Sequence, residues 1–183
     1  MEYPDHPFCF LYEYVPSTCI VYDDQVEDVR KKVYAFKEGV YSLETKEWFK
    51  VTIEGIIQNY EDSSFGWTVI FIPPSNHHHH LKRYGELSKY LKVNLDCRIS
   101  LYTLSYQGDR TPVHKVRKGK KDEGMPMVIR GKDVCGLNVI IIDDVLTRGR
   151  EFDKAGKLAL ASGARSVYGV FFARTTYPEI EYY

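Results

Sequence analysis

Two spacings of apolar residues alternate along the chain. "FCFLYEYV" (Phe8 to Val15) and "TCIVYDD" (Thr18 to Asp24) read as short strands broken at Pro16. From Asp23 to Phe36 the apolar positions Val26, Val29, Val33 and Phe36 keep helical spacing, with acids leading and lysines following. Phe49, Ile53, Ile56, Ile57 and Tyr60 repeat it, which predicts a second helix over Thr45 to Tyr60, although Phe49, Val51 and Ile53 also alternate as a strand would. A buried-type strand follows at Thr68 to Ile72.

Beyond it the order is strand, loop, helix, strand, long polar loop, strand, loop, helix, strand. "TVIFI" leads through Pro73 to Asn76 into a helix over Leu81 to Lys92, and "CRISLYTL" follows. A lysine- and glycine-rich stretch, Ser105 to Gly124, separates it from "NVIII", a helix ending near Ser162 and "SVYGVFFA". Apolar strands alternating with helices predict an α/β fold with a central, mostly parallel sheet covered on both faces. At 183 residues and with no internal repeat, a single domain is expected.

Composition narrows the function classes. Lysine plus arginine number 25 and aspartate plus glutamate 25, so no basic surplus indicates nucleic acid and charge-driven binding must be local. The first residues lack the features of a signal peptide, and no apolar run approaches membrane-spanning length, so the expectation is a cytoplasmic protein without a membrane partner. Cys9, Cys19, Cys97 and Cys135 are scattered without a C-x-x-C pair, which argues against a zinc ribbon or a disulfide framework.

The informative stretch is "VIIIDDVLTRGREF", Val139 to Phe152. Asp143 and Asp144 fall at the carboxyl end of a parallel strand, where open α/β sheets bind ligands, so their charges are expected to face solvent or ligand. Thr147 to Arg150 form a turn into a helix whose N–H groups and dipole favour a phosphate; Gly149 admits close backbone approach and Thr147 adds a hydroxyl. Carboxylates that accept from vicinal hydroxyls, beside a turn that holds phosphate, suit a sugar phosphate, with a divalent cation relieving the charge conflict.

These residues carry a resemblance. "VIIIDDVLTRG" resembles the phosphoribosyl pyrophosphate (PRPP) motif of type I phosphoribosyltransferases, and "VIFIPPSNHHHHLKRYGELSKYL" and "VYAFKEG" resemble segments of that family's ComF-like branch. The resemblance implies a type I phosphoribosyltransferase-like fold, with residues 1–60 as N-terminal strands, helices and hood, 61–176 as the α/β core and 105–124 as a flexible loop. It implies that Asp143 and Asp144 contact the ribose hydroxyls and that Thr147, Arg148, Gly149 and Arg150 wrap the 5′-phosphate. Pro74, Ser75, Asn76 and Arg83 would receive pyrophosphate, with Lys115, Arg117, Lys118, Lys120 and Lys121 closing over it.

The implied activity is pentosyl transfer from PRPP with Mg2+ to a nitrogen acceptor such as a nucleobase. The alternative is a non-catalytic PRPP- or nucleotide-binding regulatory protein; a homodimer is left open. No base is assigned, because threonine stands at 147 where some members of the family have aspartate. Two positions depart from the motif: Arg148 stands where a small residue is usual, and Glu151 where a small hydroxyl residue is. Glu151 either repels phosphate, or caps the helix or pairs with Arg148 or Arg150.

His77 to His80 cannot all ligate one metal ion, since adjacent helical side chains diverge, but their partial protonation would assist anion binding. A receiver-like phosphoacceptor domain is disfavoured because its acidic pair follows the first strand. A dinucleotide site is disfavoured because no G-x-G-x-x-G follows any strand.

Overall fold

The computed structural model describes residues 4–60, 65–74, 76, 78–107 and 126–177. The elements in chain order are β1 (Phe8–Tyr14), α1 (Asp24–Lys37), α2 (Leu43–Asn59), β2 (Trp67–Phe71), α3 (His78–Asn94), β3 (Arg98–Ser100), β4 (Leu104–Tyr106), β5 (Met127–Ile129), β6 (Asn138–Leu146), α4 (Arg150–Ala161) and β7 (Ser166–Thr175). Five strands form a wholly parallel sheet in the order β1-β7-β6-β2-β3, and β4 and β5 pair antiparallel. The fold is thus α/β with a central parallel sheet flanked by helices.

Alternation along the buried strands sends side chains to two cores. Val69, Phe71, Ile140, Ile142 and Phe172 meet Val33 and Phe36 of α1, Phe49 and Ile53 of α2, and Tyr84, Leu87 and Leu91 of α3. Ile70, Val139, Ile141, Val167 and Phe171 meet Phe152, Ala155 and Ala159 of α4 and Leu104 and Met127 of the small sheet. Phe36 stacks on Phe172 at 4.5 Å between ring centroids. Residues expected to contribute to a hood supply, in β1, α1 and α2, one edge of the sheet and, together with α3, the cover of one face. No helix among the described residues is long and apolar enough to cross a membrane.

One reading of the pattern is decided and two change. Over Thr45 to Tyr60 the helix prevails over the strand, because Phe49 and Ile53 are buried while Val51 is 59% exposed. The expected strand at Thr18 to Asp24 is a loop ending in the N-cap Asp23, whose carboxylate accepts from the N–H groups of Gln25 and Val26. Arg30 pins the approach to this loop, its guanidinium donating to the carbonyls of Val15 and Pro16 at 2.9 and 2.8 Å and, within the stretch, to that of Cys19 at 2.7 Å. Carbonyls satisfied in this way need no neighbouring strand. Ile20 and Tyr22 are correspondingly exposed.

"CRISLYTL" splits at a turn into β3 and β4, which join different sheets. Buried Asp133 fixes the break by accepting from Arg98 at 2.7 Å and from the Thr103 hydroxyl at 3.0 Å. Its partner strand β5 was not expected.

Candidate functional site

The carboxyl ends of β2 and β6 lie side by side, since Phe71 pairs with Ile142 and the Ile72 N–H donates to the Ile142 carbonyl. The turn containing Pro74 and Asn76 therefore leaves the sheet next to Asp143. Rather than ending before the acids, β6 continues to Leu146, paired beyond Ile142 only with β7, as Val145 with Ala173 and Leu146 with Arg174. Asp143 and Asp144 thus sit in extended backbone at the lip of the sheet.

Their charges do not simply face solvent, which corrects the expectation from sequence. Asp144 is buried, and its Oδ2 accepts from Arg83 at 2.7 Å while its Oδ1 accepts from the Val145 N–H at 2.7 Å. Oδ1 of half-buried Asp143 accepts from the Tyr84 hydroxyl at 2.9 Å and from the Asp144 N–H at 2.8 Å. Arg83 and Tyr84 are neighbours on α3, so one helix supplies a partner to each acid.

Burial, and then the Asp144 charge, push the Asp143 carboxyl well above the usual carboxylate range, against the opposing pull of Arg83 and the donated hydrogen bonds. Burial first, and then the two aspartates, raise the Tyr84 phenol, which stays protonated and donates. For Arg83, burial works against the charge, but Asp144, Tyr84 and Asp143 outweigh it and the guanidinium pKa is raised.

A carboxyl whose pKa rises on folding loses stability as pH climbs from its unfolded value to its folded one, and carries the full penalty above that. At neutral pH, Asp143→Asn should therefore raise the melting temperature, since an amide oxygen still accepts from Tyr84. The gain should shrink as pH falls and Asp143 takes up its proton. Thermal melts of both proteins from neutral to acid pH test this; a destabilised Asn variant at neutral pH would show that the Asp143 charge supports the fold.

After Leu146 the chain turns at Thr147, Arg148 and Gly149 into α4; Thr147, Arg148 and Arg150 are exposed and Gly149 is buried. Gly149 is the N-cap, at φ 74°, and provides no side-chain cap. The side on which a Cβ would project is taken by Pro4, whose Cγ would lie 2.6 Å from it. Pro4 belongs to a short strap along α4: the Asp5 N–H donates to Asp153 at 3.0 Å, the Asp5 carboxylate pairs with Lys157 at 3.1 Å, and His6 meets Phe152 edge-on. On that flank a ligand's approach to Gly149 is occupied by proline.

In its contacts with described residues, Glu151 meets neither the helix N-terminus nor Arg148 or Arg150. Its Oε2 accepts from the Tyr106 hydroxyl at 2.9 Å and its Oε1 from Lys154 at 3.1 Å. Buried His80 is held neutral, because burial lowers its pKa, and its Nε2 is bonded to the Leu101 carbonyl. His80 therefore offers no positive charge to an anion, contrary to the expectation for the histidine run.

The structure thus brings Arg83, Asp143, Asp144 and the Thr147 to Arg150 turn to one edge of the sheet, with Pro74 buried and Asn76 exposed on the adjacent turn. Ser75, His77, Lys115, Arg117, Lys118, Lys120 and Lys121 lie outside the described residues. The roles of Tyr84, Tyr106 and Pro4 were missed, because a tyrosine or proline amid apolar neighbours reads as packing.

No family model matches the chain. Over 61 residues, 33% of the chain, the sequence is 36% identical to an orotate phosphoribosyltransferase of Pyrobaculum calidifontis. In that segment the chain resembles a phosphoribosyltransferase. The match spans 32% of the relative, about a third of its length. The five-stranded parallel sheet, with its acidic strand end and glycine-led helix, is compatible with that family's fold.

Proposed function

We propose that the carboxyl edge of the sheet binds the ribose 5-phosphate moiety of PRPP, and that the chain transfers the phosphoribosyl group to a nitrogen acceptor with release of pyrophosphate. The observation that carries this reading is the unbroken run from the acidic end of β6 into a helix N-terminus without a side-chain cap, with Arg83 reaching Asp144 from α3. Asp143 and Asp144 accept hydrogen bonds from the ribose 2′- and 3′-hydroxyls. The amides of Thr147 to Arg150 take the 5′-phosphate.

Arg83, freed from Asp144 by the sugar, turns its charge to the pyrophosphate beside Pro74, Ser75 and Asn76. Among the described residues no group of three or more His, Cys, Asp or Glu side chains could hold a metal ion. Asp143 and Asp144 fit an ion that arrives on the ligand. Mg2+ bound in this way would offset the diphosphate charge. The ComF-like branch is proposed on "VIFIPPSNHHHHLKRY" and "VYAFKEG" alone.

A binding protein without turnover is the second reading. It is favoured by the absence of a carboxylate at Thr147 and by the hold of Arg83 on Asp144. Incubation with PRPP, Mg2+ and a panel of nucleobases and other nitrogen nucleophiles, followed by pyrophosphate detection, separates the two. Acceptor-dependent pyrophosphate is the expected result. PRPP binding with no release over any acceptor would replace the transferase reading by the regulatory one.

A further inference from the structure

Glu151 raises a physical difficulty: a carboxylate in the first turn of α4 lies beside the amides that the proposed phosphate needs. At that position an acid is favoured by the helix dipole and, left to itself, turns back to the exposed N–H groups. Gly149 brings no side chain to satisfy those groups. The carboxylate and a phosphate would then compete for the same donors and repel each other.

Two donors, one from β4 and one from α4, engage the carboxylate instead. Tyr106, the last residue of β4, places its hydroxyl 2.9 Å from Glu151 Oε2, and Lys154, one turn along α4, places its ammonium 3.1 Å from Oε1. Each carboxylate oxygen is engaged by a separate donor. Lys154 also offsets the charge, though its contact is exposed and weak alone. Tyr106 is held in turn by the pairing of β4 with β5, which brings Tyr106 opposite Met127.

Resting on the sugar-phosphate reading above, we propose that Tyr106, assisted by Lys154, is a positioning residue that holds the Glu151 carboxylate off the Thr147 to Arg150 turn and so keeps that turn open to a phosphate monoester. Tyr106 touches no ligand in this account; it acts through Glu151. The departure of Glu151 from a small hydroxyl residue is matched by a tyrosine on a neighbouring strand. The phosphate affinity of the turn then depends on a contact between β4 and α4.

The test is a cycle of four proteins: the unmodified chain, Tyr106→Phe, Glu151→Gln and the double variant. Each is titrated calorimetrically with ribose 5-phosphate and with inorganic phosphate, and melted in parallel. Tyr106→Phe should weaken both ligands roughly fivefold, the scale of a helix-terminus charge effect. Glu151→Gln should bind as well as the unmodified chain or better. In the Glu151→Gln background the Tyr106 substitution should have no effect, since there is no charge left to restrain.

An equal loss from Tyr106→Phe in both backgrounds would make Tyr106 merely structural and overturn the proposal, as would no loss in either. Failure of the unmodified chain to bind ribose 5-phosphate at all would overturn the sugar-phosphate reading and this proposal with it. Binding that persists without the Tyr106 effect would remove this proposal alone.

Discussion

Asp144→Asn should destabilise the protein by about 3 kcal/mol, the scale of removing one partner from a buried ion pair. Asp144 and Arg83 are both largely buried, at 11% and 14% side-chain exposure, and their contact is 2.7 Å. Asparagine keeps an oxygen for the Val145 N–H but leaves the Arg83 guanidinium without its charge partner, next to neutral His80 and Tyr84. Urea unfolding of the single variant measures the loss.

The double variant Arg83→Met/Asp144→Leu should recover most of that stability, because no charge then remains to be desolvated. It should not recover ligand binding. A loss below about 0.5 kcal/mol in Asp144→Asn, the range of an ordinary surface substitution, would show that the pair contributes nothing to the fold.

Gly149→Ala carries the second large effect. At φ 74° an alanine pays the left-handed backbone cost of about 1 kcal/mol, and here its Cβ would also lie 2.6 Å from the Pro4 ring. The strap must shift, so the total loss should reach about 2–3 kcal/mol. Gly136 is the internal control: it has nearly the same φ, 75°, with nothing within 4 Å of the missing Cβ. Gly136→Ala should cost only the backbone part, and the difference between the two variants in chemical denaturation isolates the Pro4 contact. Equal losses would mean that the strap gives way freely.

How much of this was legible in the sequence depends on the range of the forces involved. The helices α1 and α2 follow from the local spacing of Val33, Phe36, Phe49 and Ile53, all of which reach the core. The central strands follow from runs that are apolar on both faces. At Thr18 to Asp24 the local pattern misled, because Arg30, on the following helix, holds the chain there by the carbonyls of Val15, Pro16 and Cys19, a contact that local spacing does not show. Three-residue β5 carried too short a pattern to register.

At the site, the order of acids, threonine and glycine was readable, since strand end and helix start are consecutive in the chain. Their surroundings were not. Arg83 and Tyr84 meet the aspartates from about sixty residues away, Tyr106 meets Glu151 across 45, and Pro4 reaches Gly149 from the other end of the chain. Contacts at such separations are set by the sheet order, which single-sequence periodicity does not encode.

The most direct measurement of the central claim is calorimetric titration of ribose 5-phosphate, with Mg2+, into the unmodified chain and into Asp143→Asn/Asp144→Asn, at a temperature where circular dichroism shows both folded. The account predicts saturable binding to the unmodified chain and at least a tenfold loss in the double variant, since each charge-assisted hydrogen bond contributes roughly 1.5–3 kcal/mol. Equal affinity in the two proteins, or no binding to the unmodified chain, would contradict it.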